Sequence, residues 1–457
     1  MRPHPYRVEL KTLLRLAVPL AAAQAGNQAM GLVDIAVLGR LGARELAAAG
    51  LGNAFFFAFS VMGMGMVFGI DPMISQAIGA GDHLRARRVL WQGCWLALAV
   101  TGVLTVILAV AAWLMPYAGV QAELVEPATQ FLLVRTIGLA PFLLFFVVRA
   151  FLQAYGIARP MVVAMIVANI ANFLTDLLFV FGGTILPEWT GPLRRLPAFG
   201  VPGAALATVL CTFLELAIVL VALRKGPAVP RVSHRWNSAE IGQALRVGFP
   251  VGLQMGAEVG VFALVGVLAA RLGTMHLAAH QLVISLASFT YTMALGIAAA
   301  GSVRVGVGIG ARDQKATRIA GHATFLCGAV IMSIPALLFA LAPIAVGRLI
   351  TNQMEVLTFA APLFIVAAVF QLSDGIQAVG AGVLRGAADT KFTFYANLLG
   401  HWLIGLPIAL YLGFSRGMGI QGLWWGLCVG LTVVAVLLFF RFERLAANVI
   451  VPLSTRA

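Results

Sequence analysis

The chain has 457 residues, of which 61% are hydrophobic and only 11% charged, and its mean hydropathy is +0.96. That balance argues against a soluble enzyme, a secreted disulfide scaffold and a disordered chain, and 49 glycines with scattered charge lack the strict alternation of a transmembrane β-barrel. The formal net charge of +14 would suit a nucleic-acid partner, but its placement along the chain points to a membrane surface and no nucleic acid is expected.

A spanning helix needs roughly 20 mainly apolar residues. Apolar runs recur at about 13–38, 47–70, 90–114, 130–154, 160–182, 201–223, 245–270, 277–300, 319–346, 357–383, 392–413 and 420–440. The sequence therefore predicts an all-α membrane protein of twelve transmembrane helices. A six-helix lobe is expected over 1–223, a cytoplasmic linker over 224–244, a second six-helix lobe over 245–440 and a cytoplasmic tail over 441–457. With the N-terminus inside, 23 of the 31 Lys and Arg fall in inside segments, Arg7, Lys11, Arg85, Arg304 and Lys315 among them, seven fall outside, and Arg135 falls within a span. The positive-inside rule then puts both termini in the cytoplasm of a bacterial inner membrane, where the basic face meets anionic lipid. Cys94, Cys211, Cys327 and Cys428 are far apart in apolar stretches and read as small core residues.

Carboxylates in hydrocarbon cost several kcal/mol unless they face a cavity, find partners or take up a proton, so intramembrane acids are candidate sites. The first helix carries Asp34 with Gln24, Asn27 and Gln28 below it. Asn27 and Asp34 are seven residues apart and share a face. On the fifth helix Asn169, Asn172 and Asp176 form a second polar stripe. In the second half Glu258 stacks over Gln254 on the seventh helix, and Asp374 lies near Gln371 and Gln377 on the tenth. Glu215 stands alone on the sixth and reads as a helix-interface residue. His280, His322 and His401 are scattered and read as satisfied core or interface residues, and Arg149 reads as a snorkelling side chain. Met62, Met64, Met66 and Phe55 to Phe57 can form an adaptable wall, although such a stripe is more often plain packing.

An internal repeat governs the rest. Shifting the chain by 231 residues lays Arg40-Leu41-Gly42 and Leu46-Ala47-Ala48 on Arg271-Leu272-Gly273 and Leu277-Ala278-Ala279. The same shift pairs Pro19 with Pro250, Gly65 with Gly296, Gly79 with Gly310 and Asp82 with Asp313; later the register changes so that Gly200 meets Gly419. Six spans separate matching positions, so the halves run parallel about an axis along the membrane normal, a transporter plan with its site near the midplane. The repeat also argues that the first helix is retained rather than cleaved as a signal peptide. Pro19 and Pro250, each about a third of the way into the first helix of its half, are candidate hinges.

These residues resemble a known family. Leu16-Ala17-Val18-Pro19, Val33-Asp34, Gly39-Arg40-Leu41-Gly42, Leu51-Gly52-Asn53, Pro72 through Asp82, Gly248-Phe249-Pro250 and Leu384-Arg385-Gly386 with Asp389-Thr390 are similar to the multidrug and toxic compound extrusion (MATE) transporters, over nearly the whole chain. The resemblance implies two six-helix bundles in a V and antiport of cationic amphiphilic compounds against Na+ or H+. Asp34, Glu258 and Asp374 match the acids of the NorM-like branch, whereas Asp176, in Asn172-Phe173-Leu174-Thr175-Asp176, is an acid where that branch has Asn, as in the DinF-type branch. The coupling-ion and substrate residues are thus expected to be Asp34, Asn172, Asp176, Glu258 and Asp374, with Na+ candidates at Asp34, Asn172 and Asp176 or at Glu258 and Asp374. Gln24, Asn27, Gln28, Asn169, Gln254 and Gln371 are expected to support them. No cofactor is expected beyond the coupling ion, and a monomer in contact with lipid and small-molecule cations is expected. A flippase for lipid-linked saccharides is the alternative, which would want cavity arginines. An enzyme is disfavoured because no HExxH or Ser/Lys constellation appears, and nucleotide use because Gly79-Ala80-Gly81 lacks a phosphate-loop lysine.

Overall fold

The runs of apolar residue punctuated by short polar turns become helices throughout a computed structural model that describes residues 5–117, 119–185, 188–227 and 232–455. In chain order these are α1 (Pro5–Leu38), α2 (Ala43–Gly79, interrupted at Phe68 and Gly69), α3 (His83–Leu114), α4 (Ala122–Ala154, interrupted at Gly138), α5 (Arg159–Phe181) and α6 (Val201–Arg224). The second half comprises α7 (Ser238–Leu272), α8 (Thr274–Gly310), α9 (Gln314–Leu341), α10 (Met354–Gly386), α11 (Thr390–Ser415) and α12 (Gly419–Ala446). Eleven of these, α2 to α12, are long and apolar enough to cross a membrane. The remaining helix, α1, has 34 residues, ample length at 1.5 Å per residue, but Gln24, Asn27, Gln28 and Asp34 lower its apolarity.

The repeat is visible at helix starts. Asp82 accepts a hydrogen bond from Arg85 N at 2.9 Å and caps α3, and its repeat partner Asp313 accepts from Ala316 N at 2.8 Å and caps α9. Two boundaries differ from the sequence reading. The helix α7, capped by Asn237, starts at Ser238, so the last seven residues of the expected 224–244 linker are helical, and α12 continues to Ala446 within the expected tail. Hydropathy marks where a helix leaves the membrane, and both of these run on beyond that level. Residues 228–231 of the linker lie outside the described residues.

The helices α1 and α2 of the first lobe pack against α7 and α8 of the second. The contacts obey a twofold rule: where residue i meets residue j, residue i + 231 meets j − 231. Gly65 lies on Gly252, and Gly296 lies on Ala21; Gly79 lies on Val307, and Gly310 lies on Gln76. A Cβ added at Gly65 would sit 2.6 Å from the Gly252 Cα, so glycine is what permits this approach. All these contacts fall toward the end of the helix bundle that carries both chain ends, the terminal side, rather than toward the opposite, distal side. Along the same seam Met66 packs on Gly252 and Met62 on Gly256, so the methionine stripe serves the contact between lobes. The helices run unbroken through Pro19 and Pro250, which flank the two equivalent contacts.

Candidate functional site

In the N-terminal lobe, α1, α5 and α6 bring Asp34, Asp176, Asn172 and Thr208 together. Half-buried Asp34 receives a hydrogen bond from the Thr208 hydroxyl at 3.2 Å, and its carboxyl group reaches that of Asp176. Asp176 and Asn172 are fully buried, yet both Asp176 oxygens, both Asn172 amide atoms and Asp34 Oδ1 have no partner in the protein. Burying polar groups unsatisfied costs about 1–3 kcal/mol each, and these atoms are left open to a further ligand. Two carboxyl groups, an amide oxygen and a hydroxyl offer hard oxygen donors to Na+, and a shared proton would satisfy the facing carboxyl pair equally.

A cation also stands beside the pair. Arg135 on α4 lies with its guanidinium 4.5 Å from the Phe56 ring centroid, its Nε buried without a partner and its charge acting on Asp34 and Asp176. The sequence reading had placed Arg135 within a span without assigning it a role. Of the expected supporting residues, Asn169 spends its amide on the Met165 carbonyl at 2.9 Å, one turn back on its own helix. Gln28 is exposed, and Gln24 and Asn27 line a different cavity, with Glu215.

The C-terminal lobe gathers a second acid site from α7, α8, α10 and α11. Glu258 Oε1 accepts from Gln254 Nε2 at 3.1 Å and from Gln377 Nε2 at 2.6 Å, and Gln377 also reaches Asn397 Oδ1 at 3.2 Å. Asp374, nearly buried, lies close enough for its charge to act with that of Glu258, and Tyr291 faces both. Gln371 donates to Thr290 while its carbonyl oxygen stays buried and unpartnered. Tyr291, Asn397, Thr290 and Thr208 escaped the sequence reading because nothing in their spacing ties them to acids on other helices.

Two sequence expectations, for Arg149 and for His401, need correction. Arg149 does not snorkel: it is buried, stacked 4.5 Å from the Phe146 centroid and 5.2 Å from Phe68, whose ring also carries Arg385 at 4.7 Å. Asp71, in the first turn of the second part of α2, pairs across the seam with Arg385 at 3.5 Å. His280 accepts a hydrogen bond from Trp424 Nε1 at 3.2 Å, as a satisfied core histidine should, and His322 pairs with Glu443, but both ring nitrogens of buried His401 lack partners.

The MatE family model matches residues 19–178 and 250–411, one stretch in each lobe. The chain is 32% identical to the probable multidrug resistance protein NorM of Rhizobium meliloti (strain 1021), covering 95% of this chain and 93% of that one. It is 34% identical to the multidrug resistance protein NorM of Burkholderia vietnamiensis, covering 95% and 94%. Its fold matches the crystal structure of the eukaryotic MATE transporter AtDTX14 with a TM-score of 0.85 at 21% identity, covering 97% of this chain and 98% of that one.

Proposed function

Since the chain belongs to the MATE family of multidrug and toxic compound extrusion transporters, we propose that it is a secondary active multidrug efflux antiporter that expels cationic amphiphilic compounds in exchange for Na+ or H+. The observation that carries this reading is the Asp34–Asp176 pair with Asn172, whose buried polar atoms, apart from the Asp34 oxygen held by Thr208, have no hydrogen-bond partner. The names of its relatives in Rhizobium meliloti and Burkholderia vietnamiensis, multidrug resistance proteins, support the same reading.

The mechanism is competition for charge. A drug cation and a coupling ion cannot both neutralise the same carboxylates, so arrival of one weakens the hold on the other. The second acid site, Glu258 with Asp374, gives the substrate a place in the other lobe, and rocking of the lobes about the glycine seam exposes the acids alternately to the two sides. Both termini are taken to be cytoplasmic, in a bacterial inner membrane, and the transporter to act as a monomer in lipid. A flippase for anionic lipid-linked saccharides is disfavoured because Arg135 is outnumbered by the acids beside it. The test is ethidium efflux from proteoliposomes with a Na+ gradient and a pH gradient imposed separately. Wild-type protein should export under at least one gradient, and Asp34→Asn and Glu258→Gln should abolish it. Undiminished efflux in both variants would refute the reading.

A further inference from the structure

Glu215 sits on α6 seven residues beyond Thr208, and Asn27 on α1 seven residues before Asp34. Because α1 and α6 run in opposite directions, both lie about 10 Å nearer the terminal side than the Asp34–Thr208 contact. They meet there in a cavity lined also by Gln24, Arg149, Met161 and Met165, with room for about one water molecule or one bare monovalent cation and too little for a drug. Between this cavity and the Asp34–Asp176 pair lies a buried apolar layer of Met30, Ala168 and Cys211.

A structural role would give Glu215 a partner, and among the described residues it has neither hydrogen bond nor ion pair. Arg149 borders the cavity, but its charge is drawn to Asp71 and faces the like charge of Arg385 rather than pairing with Glu215, while its buried Nε is left without a partner. Packing does not demand a carboxylate either. In the register that aligns Gly200 with Gly419, the repeat places Val434 opposite Glu215, and Val434 is fully buried in the core of the second lobe. An unpaired acid, half-buried Gln24, exposed Asn27 and a buried, unsatisfied guanidinium nitrogen therefore border a space of ionic size.

We propose that Glu215, with Gln24 and Asn27, forms a second small-cation site, a station through which the coupling proton or sodium ion passes between the Asp34–Asp176 pair and the terminal side. The carboxylate accepts a proton outright, or joins the two amide oxygens as hard donors to Na+. Arg149 Nε holds the accompanying water. The proposal rests on the antiport reading for its role in transport, but the binding it asserts can be measured without transport.

The test uses the full chain, purified for binding of radioactive sodium and for proton uptake after a pH step, and reconstituted for ethidium efflux. Asp34→Asn should retain one bound sodium or one titrating proton that Asp34→Asn with Glu215→Gln loses, and the arm that shows the loss names the ion. Glu215→Gln alone should bind tetraphenylphosphonium within about twofold of wild type while slowing gradient-driven efflux by about tenfold or more, and Glu215→Asp should keep both activities. The proposal is overturned if Glu215→Gln exports at the wild-type rate and the double variant binds cations as Asp34→Asn does. It is equally overturned if Glu215→Gln and Glu215→Asp both lose tetraphenylphosphonium binding, which marks a packing role. A wild-type protein that moves no ethidium under either gradient refutes the antiport reading instead, and the binding comparison still decides on Glu215.

Discussion

The glycine seam allows a quantitative test of how the lobes close. In Gly65→Ala the added Cβ would lie 2.6 Å from Gly252 Cα, 2.7 Å from Gly252 N and 2.9 Å from Val251 C, where ordinary contact begins at 3.4 Å. These are backbone atoms of a packed helix, so the lobes must separate locally to admit the methyl group. Overpacking of this kind costs about 1–3 kcal/mol, and the helical advantage of alanine cancels because α2 is helical whether the seam is closed or open. The population with the seam open should therefore rise roughly 5- to 150-fold. Spin labels at Leu84 and Lys315, repeat-equivalent positions exposed at the terminal ends of α3 and α9, report the separation by double electron–electron resonance. Gly65→Ala should populate longer distances, Gly296→Ala should do the same because its Cβ would meet Ala21 N, and Gly31→Ala, with nothing within 4 Å, should change nothing. A Gly65→Ala distribution that superimposes on wild type refutes the steric argument. A response from Gly65→Ala but none from Gly296→Ala refutes the twofold equivalence.

Three further outcomes follow from the charged groups. Arg135→Gln removes the positive charge beside Asp34 and Asp176, so tetraphenylphosphonium or sodium should bind about tenfold more tightly by calorimetry; weaker binding would mean that Arg135 holds the acids in place rather than competing for them. Asp71→Asn leaves Arg385 without its 3.5 Å partner in a buried setting and should destabilise by about 3–5 kcal/mol. The double variant Asp71→Asn with Arg385→Met should recover part of that loss in a thermal-shift assay, and strict additivity of the two single losses would show the pair to be uncoupled. Gln377→Leu takes from Glu258 its 2.6 Å donor and should cost about 1.5–3 kcal/mol of stability where the carboxylate is ionised, with little change expected once acid has neutralised it. A cost that is the same at both extremes of pH would show that the donor does not serve the charged form.

The parts of this molecule that could be read from its sequence are those for which the membrane leaves few alternatives. Apolar runs must be helices because backbone polar groups in lipid must satisfy one another, and acids inside such runs stand out because their burial is costly. Asp34, Asn172 and Asp176 were legible for that reason and do converge, as do Glu258 and Asp374. Thr208, Tyr291 and Asn397 were not, because a hydroxyl or amide is cheap enough in a helix to need no function and the contacts that give them one come from other helices. Arg149 departs from its sequence reading through its position: a residue close to a turn is usually wet, but α4 carries this one against Phe68 and Phe146, where it is buried. Glu215 reads as a helix-interface residue because its own helix carries no polar stripe, and its neighbours in the cavity stand on α1, α4 and α5.

The duplication repeats the architecture without repeating the chemistry. The twofold rule holds for the backbone contacts of the seam, where Gly65 on Gly252 is matched by Gly296 on Ala21, because any device that closes by rocking two equal bodies needs equivalent surfaces at the axis. It fails at the acids. The position opposite Asp34 is Val265, fully buried in the core of the second lobe, and the position opposite Glu258 is Asn27, exposed in the first. Were the carboxylates present only to hold helices together, the two lobes would be free to use the same solution twice, as they do with Asp82 and Asp313 at the starts of α3 and α9. Instead the first lobe places a pair of acids with no donor but one threonine, and the second wraps its glutamate in amide donors. Under the antiport reading proposed above, the acid pair would compete for small cations and the glutamate already supplied with hydrogen bonds would keep its charge for a larger, weakly hydrated one, a division of tasks that equal scaffolds with unequal sites allow.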